Sequence, residues 1–328
     1  TGGDDAPDRV GRVRRDGHPS SRTVPVLHFI ASRLAVRCTL TIVAIVAIGA
    51  CREHAPENRS AGSVVDDYGR TVRLNAAPQR IVSLNPATTE LLFALGAGPR
   101  VVGRTQYDFW PDSARLVPSV GAGMRPNLEA VLGRQPDLVV MYASGDDRGA
   151  ADRLTAAGIA TAAFRIDKIR DFARVAMDLG RLLGDTMRAR TVVDSVTATL
   201  DRVRRATDTL PRPTVFLHAW EKPLMTIGGG SFLSELVTIA GGRNVYDSLP
   251  APSPVVTLED VLRRNPDIVL VSPLERETLL TSKRWHALPA VRAGRVVAYD
   301  TNVVERPSVK LGEAAVSLAR ILHPGVLP

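Results

Sequence analysis

The stretch NLEAVLGRQPDLVVM (127–141) returns 130 residues later as TLEDVLRRNPDIVLV (257–271), with eight of fifteen positions identical. A near-copy at that distance constrains the fold strongly, because each copy must be the same supersecondary unit in two similar halves. Leu128, Val131 and Leu132 fall at i, i+3 and i+4, one apolar helical stripe, until Pro136 stops the helix. The apolar DLVVM that follows predicts a buried strand. The unit is therefore helix, Pro-Asp stop, strand, used twice.

The surrounding sequence keeps that rhythm. VVDDYGRTVRL predicts a hairpin around Asp-Tyr-Gly. RIVSL is a strand, and NPATTELLFALGAG a helix that Thr88 or Thr89 can cap and Gly96 and Gly98 end. VVGRT, DLVVM and IATAAF alternate with helical segments, which argues for a mostly parallel sheet covered on both faces. From about Lys168 to Thr209 the pattern is entirely helical, with Phe172, Val175, Ala176, Leu179, Leu182 and Leu183 on one stripe. The part from Met187 onward contains neither Pro nor Gly until Pro211, and predicts a stiff connector. The α/β alternation resumes at TVFLH, with helix SFLSELVTIAGG capped by Ser231, and closes with RVVAYD and KLGEAAVSLARIL. The expected architecture is α/β: two pseudo-symmetric lobes with mostly parallel central sheets, joined by one long backbone helix, and a ligand cleft between them. The lobes are expected over 64–183 and 211–328, with the connecting helix over 184–210.

The segment before the first lobe has a different character. Arg33 and Arg37 precede an apolar run of eleven residues, Cys38 to Ile48, and then Gly49-Ala50-Cys51. A basic region, a short apolar core and small residues make a secretory signal, and eleven residues are too few for a bilayer core, which needs about twenty. Ile48-Gly49-Ala50-Cys51 resembles a bacterial lipobox, in which the cysteine thiol is lipidated and becomes the first residue of the processed chain. Cys38, the only other cysteine, lies inside the leader, so a chain starting at Cys51 keeps no thiol for a disulfide, a thiolate metal site or catalysis. Lipid chains would hold such a protein at a membrane surface without spanning it. Residues 51–63 are expected to be a polar tether, and the polar stretch 1–30 to be an upstream extension outside the fold.

Composition excludes little. Basic residues outnumber acidic ones by eight, but they are dispersed and almost all arginine, with no dense block or interleaved aromatics of a nucleic-acid groove. No nucleic-acid partner is expected. Enzyme motifs are scarce: HExxH, GxSxG, CxxC and the Walker lysine pattern are all missing. Gly228-Gly229-Gly230 lacks the following Lys-Ser/Thr of a phosphate cradle and reads as a flexible turn into a helix. His218, His286 and His323 are too separated for an evident metal site, and Asp108 and Asp112 read as loop residues rather than a carboxylate pair. No catalytic residue, resident cofactor or metal is expected. What accumulates is a set of rings at strand ends: Tyr107 with Trp110, Tyr142 and Trp220. Ligands of open α/β sheets sit outside the strands' carboxyl ends, and flat rings there suit a large, planar, partly apolar ligand.

DDYGRTVRL, PQRIVSLNPATTELLFALGAGPRVVG, NLEAVLGRQPDLVV, the long helix, AGGRNV and TLEDVLRRNPDIVLV together resemble the substrate-binding lipoproteins of ABC importers. The resemblance is to the helical-backbone superfamily that serves cobalamin, haem and ferric siderophores, and it spans roughly residues 64–324. RIVSLNPATTEL, YDFWP and VVERPS are most similar to the cobalamin-binding branch. The resemblance implies a cleft in which Tyr107, Tyr142, Trp220, Glu305 and Arg306 contact a corrinoid, with haem or a ferric siderophore as the alternative cargo. Gly123 and Ser253 stand where better-known cobalamin binders carry Trp. A sensor or assembly subunit, or an extracytoplasmic enzyme on the same fold, is the remote alternative.

The resemblance also gives the repeat a purpose. Both copies keep a glutamate, Glu129 and Glu259, in the first helical turn and off the apolar stripe. One such carboxylate favours the helix dipole locally. In the family, one glutamate from each lobe meets arginines of a two-fold permease dimer, which works with cytoplasmic ATPases. A pseudo-symmetric binder on a symmetric dimer needs equivalent charges at equivalent places. The expected location is extracytoplasmic, lipid-anchored to a bacterial membrane.

Overall fold

The computed structural model describes residues 62–327. The upstream extension, the leader, Cys51 and nearly all of the polar tether lie outside the described residues. The first element is a hairpin, β1 (Ser63–Val65) and β2 (Thr71–Arg73), whose turn is held by Asp66. Asp66 accepts the backbone N–H groups of Tyr68 and Arg70 and pairs with the Arg70 guanidinium at 2.7 Å.

The first lobe follows: β3 (Ile81–Ser83), α1 (Pro86–Ala94), β4 (Val101–Gly103), α2 (Leu128–Leu132), β5 (Leu138–Tyr142), α3 (Arg148–Ala156) and β6 (Ala160–Phe164). Its strands lie in the order β4-β3-β5-β6, all parallel. Then α4 (Ile169–Leu183) ends at Gly184, whose φ of 75° suits a residue without Cβ, and α5 (Thr186–Thr207) runs ~33 Å. The second lobe comprises β7 (Thr214–Glu221), β8 (Leu224–Thr226), α6 (Phe232–Ile239), β9 (Arg243–Asn244), α7 (Leu258–Arg264), β10 (Ile268–Val271), α8 (Pro273–Thr281), α9 (Pro289–Arg292), β11 (Val296–Ala298), α10 (Thr301–Val304) and α11 (Leu311–Leu322). Its parallel strands lie in the order β9-β7-β10-β11, the counterpart of the first sheet. β8 is an antiparallel addition on the distal half of β7.

The strands divide their side chains between two cores by simple alternation. Ile81, Leu138, Val140, Ala162 and Phe164 join Val215, Leu217 and Leu270 of the other lobe in one shared core, completed by α4, α5, α6 and α11. The intervening Val82, Val139, Met141 and Ala163 face a separate core under α2 and α3. Phe216, Val269 and Val271 face its counterpart in the second lobe, around Trp285 and Tyr246. The whole apolar stripe of α4, from Phe172 to Leu183, is buried in the shared core. The lobes are thus sutured through a common interior as well as through one helix.

Some local expectations are corrected. Asn85, not Thr88 or Thr89, caps α1: its side chain accepts from Ala87 N–H at 2.8 Å and Thr88 N–H at 3.4 Å, with Pro86 at the first helical position. Thr88 and Thr89 are buried one turn in, where they bond Ser83 and Asp108 instead. In α2, Val131 is buried but Leu132 is exposed, because a five-residue helix presents only one turn to the core. Gly228, Gly229 and Gly230 do not form a loose turn. A Cβ on them would lie 2.1, 1.9 and 2.0 Å from the carbonyl oxygens of Ala251, Asp247 and Pro250, so backbone packs directly on backbone.

Candidate functional site

The carboxyl ends of both sheets face a cavity of about 520 Å³ between the lobes, within the range of small-molecule sites. The first lobe contributes Asn85–Thr88 at the start of α1, Tyr142 at the end of β5, Phe164 at the end of β6, and Ile166 and Asp167 after it. The second contributes Ile227, Ser231–Leu233 at the start of α6, Pro252, Ser253, Thr301, Asn302 and Glu305–Pro307. Apolar walls come from Phe164, Ile166, Ile227, Phe232 and Leu233, so a ligand entering here is gripped mostly by apolar surface with a few polar fixed points.

Those polar points are held in place. Tyr142 donates its hydroxyl to Asp167 Oδ1 at 2.8 Å. Burial, followed by the Asp167 acceptor, pushes its pKa up to about 12, so the phenol stays neutral. Glu305 accepts from the buried Tyr299 hydroxyl at 2.8 Å, which fixes the carboxylate at the cavity edge. Arg306 donates from Nη1 to Glu90 Oε1 at 2.9 Å and from Nη2 to the Tyr107 carbonyl at 3.0 Å. Glu90 is fully buried in α1, and Ser308 donates to its second oxygen. Arg306 therefore lines the cavity while its guanidinium is engaged by the opposite lobe.

Tyr142, Glu305 and Arg306 come together in the cavity wall, drawn from residues far apart in sequence. Tyr107 and Trp220 do not line it. The Tyr107 ring is half exposed on the loop after β4, and only its backbone takes part, through Arg306. Trp220 stands exposed near the end of β7, its indole N–H on the Lys222 carbonyl at 3.0 Å. Trp110 is covered by the Lys310 ammonium, 4.7 Å from the ring centre. Gly123 packs so tightly that a Cβ would lie 2.1 Å from the Leu84 carbonyl oxygen. Ser253 lies in the cavity wall.

Asp108 and Asp112 are not a pair. Asp108 is buried and bonds Thr105 and Thr89, whereas the Asp112 side chain is almost fully solvent-exposed. No cluster of His, Cys, Asp and Glu suited to a metal ion exists among the described residues. His218 is buried against Glu221 at 2.9 Å, and His286 bonds the Leu280 carbonyl. Sequence reasoning missed Glu90, Asp167 and Asn302. Only the first carried a signal, as the one charged residue in its helix.

Glu129 and Glu259 are exposed at equivalent places, each in the first turn of its helix, α2 and α7. Asn127 and Thr257 cap those helices alike, each accepting the third residue's N–H at 3.2 Å. The Glu259 carboxyl is held below its ordinary value by its own backbone N–H and the Thr257 hydroxyl. Neither glutamate forms an ion pair among the described residues, so both negative charges face solvent.

Two α/β lobes sharing one interior, with a part-apolar cavity at the strand ends, are the architecture of a bilobal solute-binding protein. The chain belongs to the periplasmic binding protein family, whose pattern matches residues 81–303. It is 31% identical over 254 residues to the vitamin B12-binding protein of Photorhabdus laumondii, covering 76% of this chain and 90% of that one. The vitamin B12-binding protein of Yersinia pestis is 30% identical over 251 residues, with 74% and 86% covered. Among solved structures, the chain is similar to the periplasmic vitamin B12-binding protein BtuF of Vibrio cholerae (TM-score 0.67, 23% identity, 75% and 96% covered). It is also similar to the haem-binding RhuT of Roseiflexus sp. RS-1 (TM-score 0.69, 23% identity, 76% and 99% covered). This is a solute-binding protein of the ABC-import type, in a family of extracytoplasmic proteins whose members bind rather than transform their ligands. Among the described residues no helix is long and apolar enough to cross a membrane.

Proposed function

We propose that this protein captures cobalamin or a related corrinoid in the interlobe cavity and delivers it to an ABC permease dimer. The observation that carries the reading is the cavity itself, lined by both lobes with apolar side chains and with Tyr142, Glu305 and Arg306 as fixed polar points. Apolar walls suit the faces of a macrocycle, and the fixed polar groups suit its amide-bearing edge. Tyr107 and Trp220, exposed on the two lobes, serve as contacts at the rim for a cargo that projects beyond the cavity. The curated relatives named for vitamin B12 favour this cargo.

Haem or a ferric siderophore is the second reading. It is favoured by the small residues at Gly123 and Ser253 and by the haem-binding structural neighbour. Titration of the purified protein with cyanocobalamin, hemin and a ferric hydroxamate, followed by calorimetry and absorbance, tests the two readings together. Saturable one-to-one binding of cyanocobalamin supports the first; binding of hemin or the hydroxamate alone supports the second.

Delivery uses Glu129 and Glu259 as one acidic contact per lobe, set against basic groups on each half of a two-fold permease. Cys51 carries the lipid that keeps the protein at the membrane surface near that permease.

A further inference from the structure

Glu90 and Glu235 occupy the same place in the two lobes. Thr89-Glu90-Leu91 in α1 corresponds to Ser234-Glu235-Leu236 in α6, and both leucines are fully buried. Six residues beyond each glutamate the helix ends at a left-handed glycine, Gly96 with φ 78° and Gly241 with φ 82°. The closing hydrogen bonds match as well: Gly96 N–H to Phe93 and Gly241 N–H to Thr238, each with the next residue's N–H reaching one residue further back.

Each glutamate reaches out of its own lobe. Glu90 takes Arg306 at 2.9 Å and the Ser308 hydroxyl, both from the segment after β11. Glu235 faces Lys168 Nζ at 3.4 Å and accepts Ile169 N–H at 2.8 Å, both from the segment after β6. β6 and β11 are the corresponding edge strands of the two sheets. Each cation also donates to a backbone carbonyl of the opposite lobe, Arg306 to Tyr107 and Lys168 to Gly229. The arrangement is a crossed pair of clasps that the lobe repeat maps onto one another. They bracket the cavity, whose wall includes Thr88 and Arg306 beside one clasp and Asp167 and Leu233 beside the other.

The clasps differ in their contact with water. The Glu90 side chain is 0% exposed and that of Arg306 14%, whereas Glu235 is 36% and Lys168 24% exposed. Separating the first would strand a buried carboxylate without its cation, which is strongly unfavourable. Separating the second exchanges a weak ion pair for hydrated charges, and salt screens it. A polar cavity of about 550 Å³ lies against Lys168 and Glu235, so that edge already adjoins open space.

We propose that the lobes pivot about the Glu90–Arg306 clasp as a permanent tie, and that the Glu235–Lys168 clasp is the releasable edge at which the cleft opens. The pivot does not depend on which ligand the cleft takes.

Spin labels at Leu116→Cys and Leu274→Cys, exposed positions one on each lobe, report the interlobe distance in the full chain with Cys38 and Cys51 replaced by serine. Glu235→Gln is expected to raise the open population about two- to fivefold, as loss of a partly exposed pair does. Transfer of the parent protein to 1 M salt should reproduce that shift, and should add nothing to Glu235→Gln. Glu90→Gln removes a contact that the open and closed states share, so it should move the open population less than Glu235→Gln does while lowering the unfolding midpoint in urea more. If Glu90→Gln does not fold, Ser308→Ala, which keeps the ion pair, should likewise lower the unfolding midpoint and shift the open population less than Glu235→Gln. A distance distribution that ignores Glu235→Gln and salt overturns the releasable edge. A Glu90→Gln or Ser308→Ala shift of the open population as large as that of Glu235→Gln overturns the permanent tie.

Discussion

Tyr142 and Asp167 are joined by a 2.8 Å hydrogen bond at the wall of the interlobe cavity, one from the end of β5 and the other just past β6. The two strands are parallel neighbours with Tyr142 paired to Phe164, so the register brings ring and carboxylate together. Tyr142→Ala removes ring contact and should weaken ligand binding by about tenfold, equivalent to ~1.4 kcal/mol. Tyr142→Phe keeps the ring and should cost less. Calorimetric titration with cyanocobalamin checks the order; equal affinities for all three proteins would remove Tyr142 from the site.

Glu129→Ala combined with Glu259→Ala should abolish or sharply reduce uptake in cells while leaving ligand affinity of the purified protein unchanged. Both side chains are exposed and neither lines the cavity. A parallel loss of affinity would show that their role is not docking. Either single substitution should retain partial uptake, because one lobe would still be engaged.

Burial pushes the Glu90 carboxyl up from its ordinary value of 4.5, against the lowering pull of Ser308 and Arg306. The folded state then holds this proton more tightly than the unfolded chain does. Between 4.5 and the raised folded value the native state binds more protons, so Glu90's contribution to stability falls as pH rises through that window. Asp108 and Asp178 are also raised by burial and act in the same sense in parent and variant alike. Urea unfolding of the parent and Glu90→Gln across pH 4.5 to 8 should therefore give a stability difference that moves against the parent on going up from 4.5 and then levels off. A difference independent of pH would mean that Glu90 titrates alike in both states.

Gly229→Ala places a methyl group 1.9 Å from the Asp247 carbonyl oxygen, which belongs to backbone and cannot swing aside. The expected loss is about 1–3 kcal/mol in unfolding free energy. Chemical denaturation measures it, and an unchanged midpoint would show that the loop yields freely.

Cys51→Ser should move the protein from the membrane fraction to the soluble fraction of cells expressing the full chain. Lipid labelling of the parent and not of the variant is the corresponding chemical readout. Membrane association that survives the substitution would exclude Cys51 as the anchor.

The repeated helix–strand unit, the alternation of apolar positions and the unbroken run from Met187 were enough to read two parallel-sheet lobes and a helix between them, because periodicity and Pro/Gly stops act over one or two turns of chain. The aromatic and acidic candidates were legible one at a time for the same reason: a ring after a strand and a glutamate in a first turn are local facts. Nothing local indicated that Tyr142, Glu305 and Arg306 share a wall while Tyr107 and Trp220 stand exposed outside it, nor that Arg306 answers to Glu90 more than two hundred residues away. Those relations arise when two separately patterned sheets bury one face each in a common interior, bringing strand ends and edge segments from opposite lobes within hydrogen-bonding reach. The sequence alone determined which segments become helix and strand, since that depends on neighbours along the chain. Only the tertiary structure decided which charges lose their water and must find each other, since that depends on what packs across the cleft.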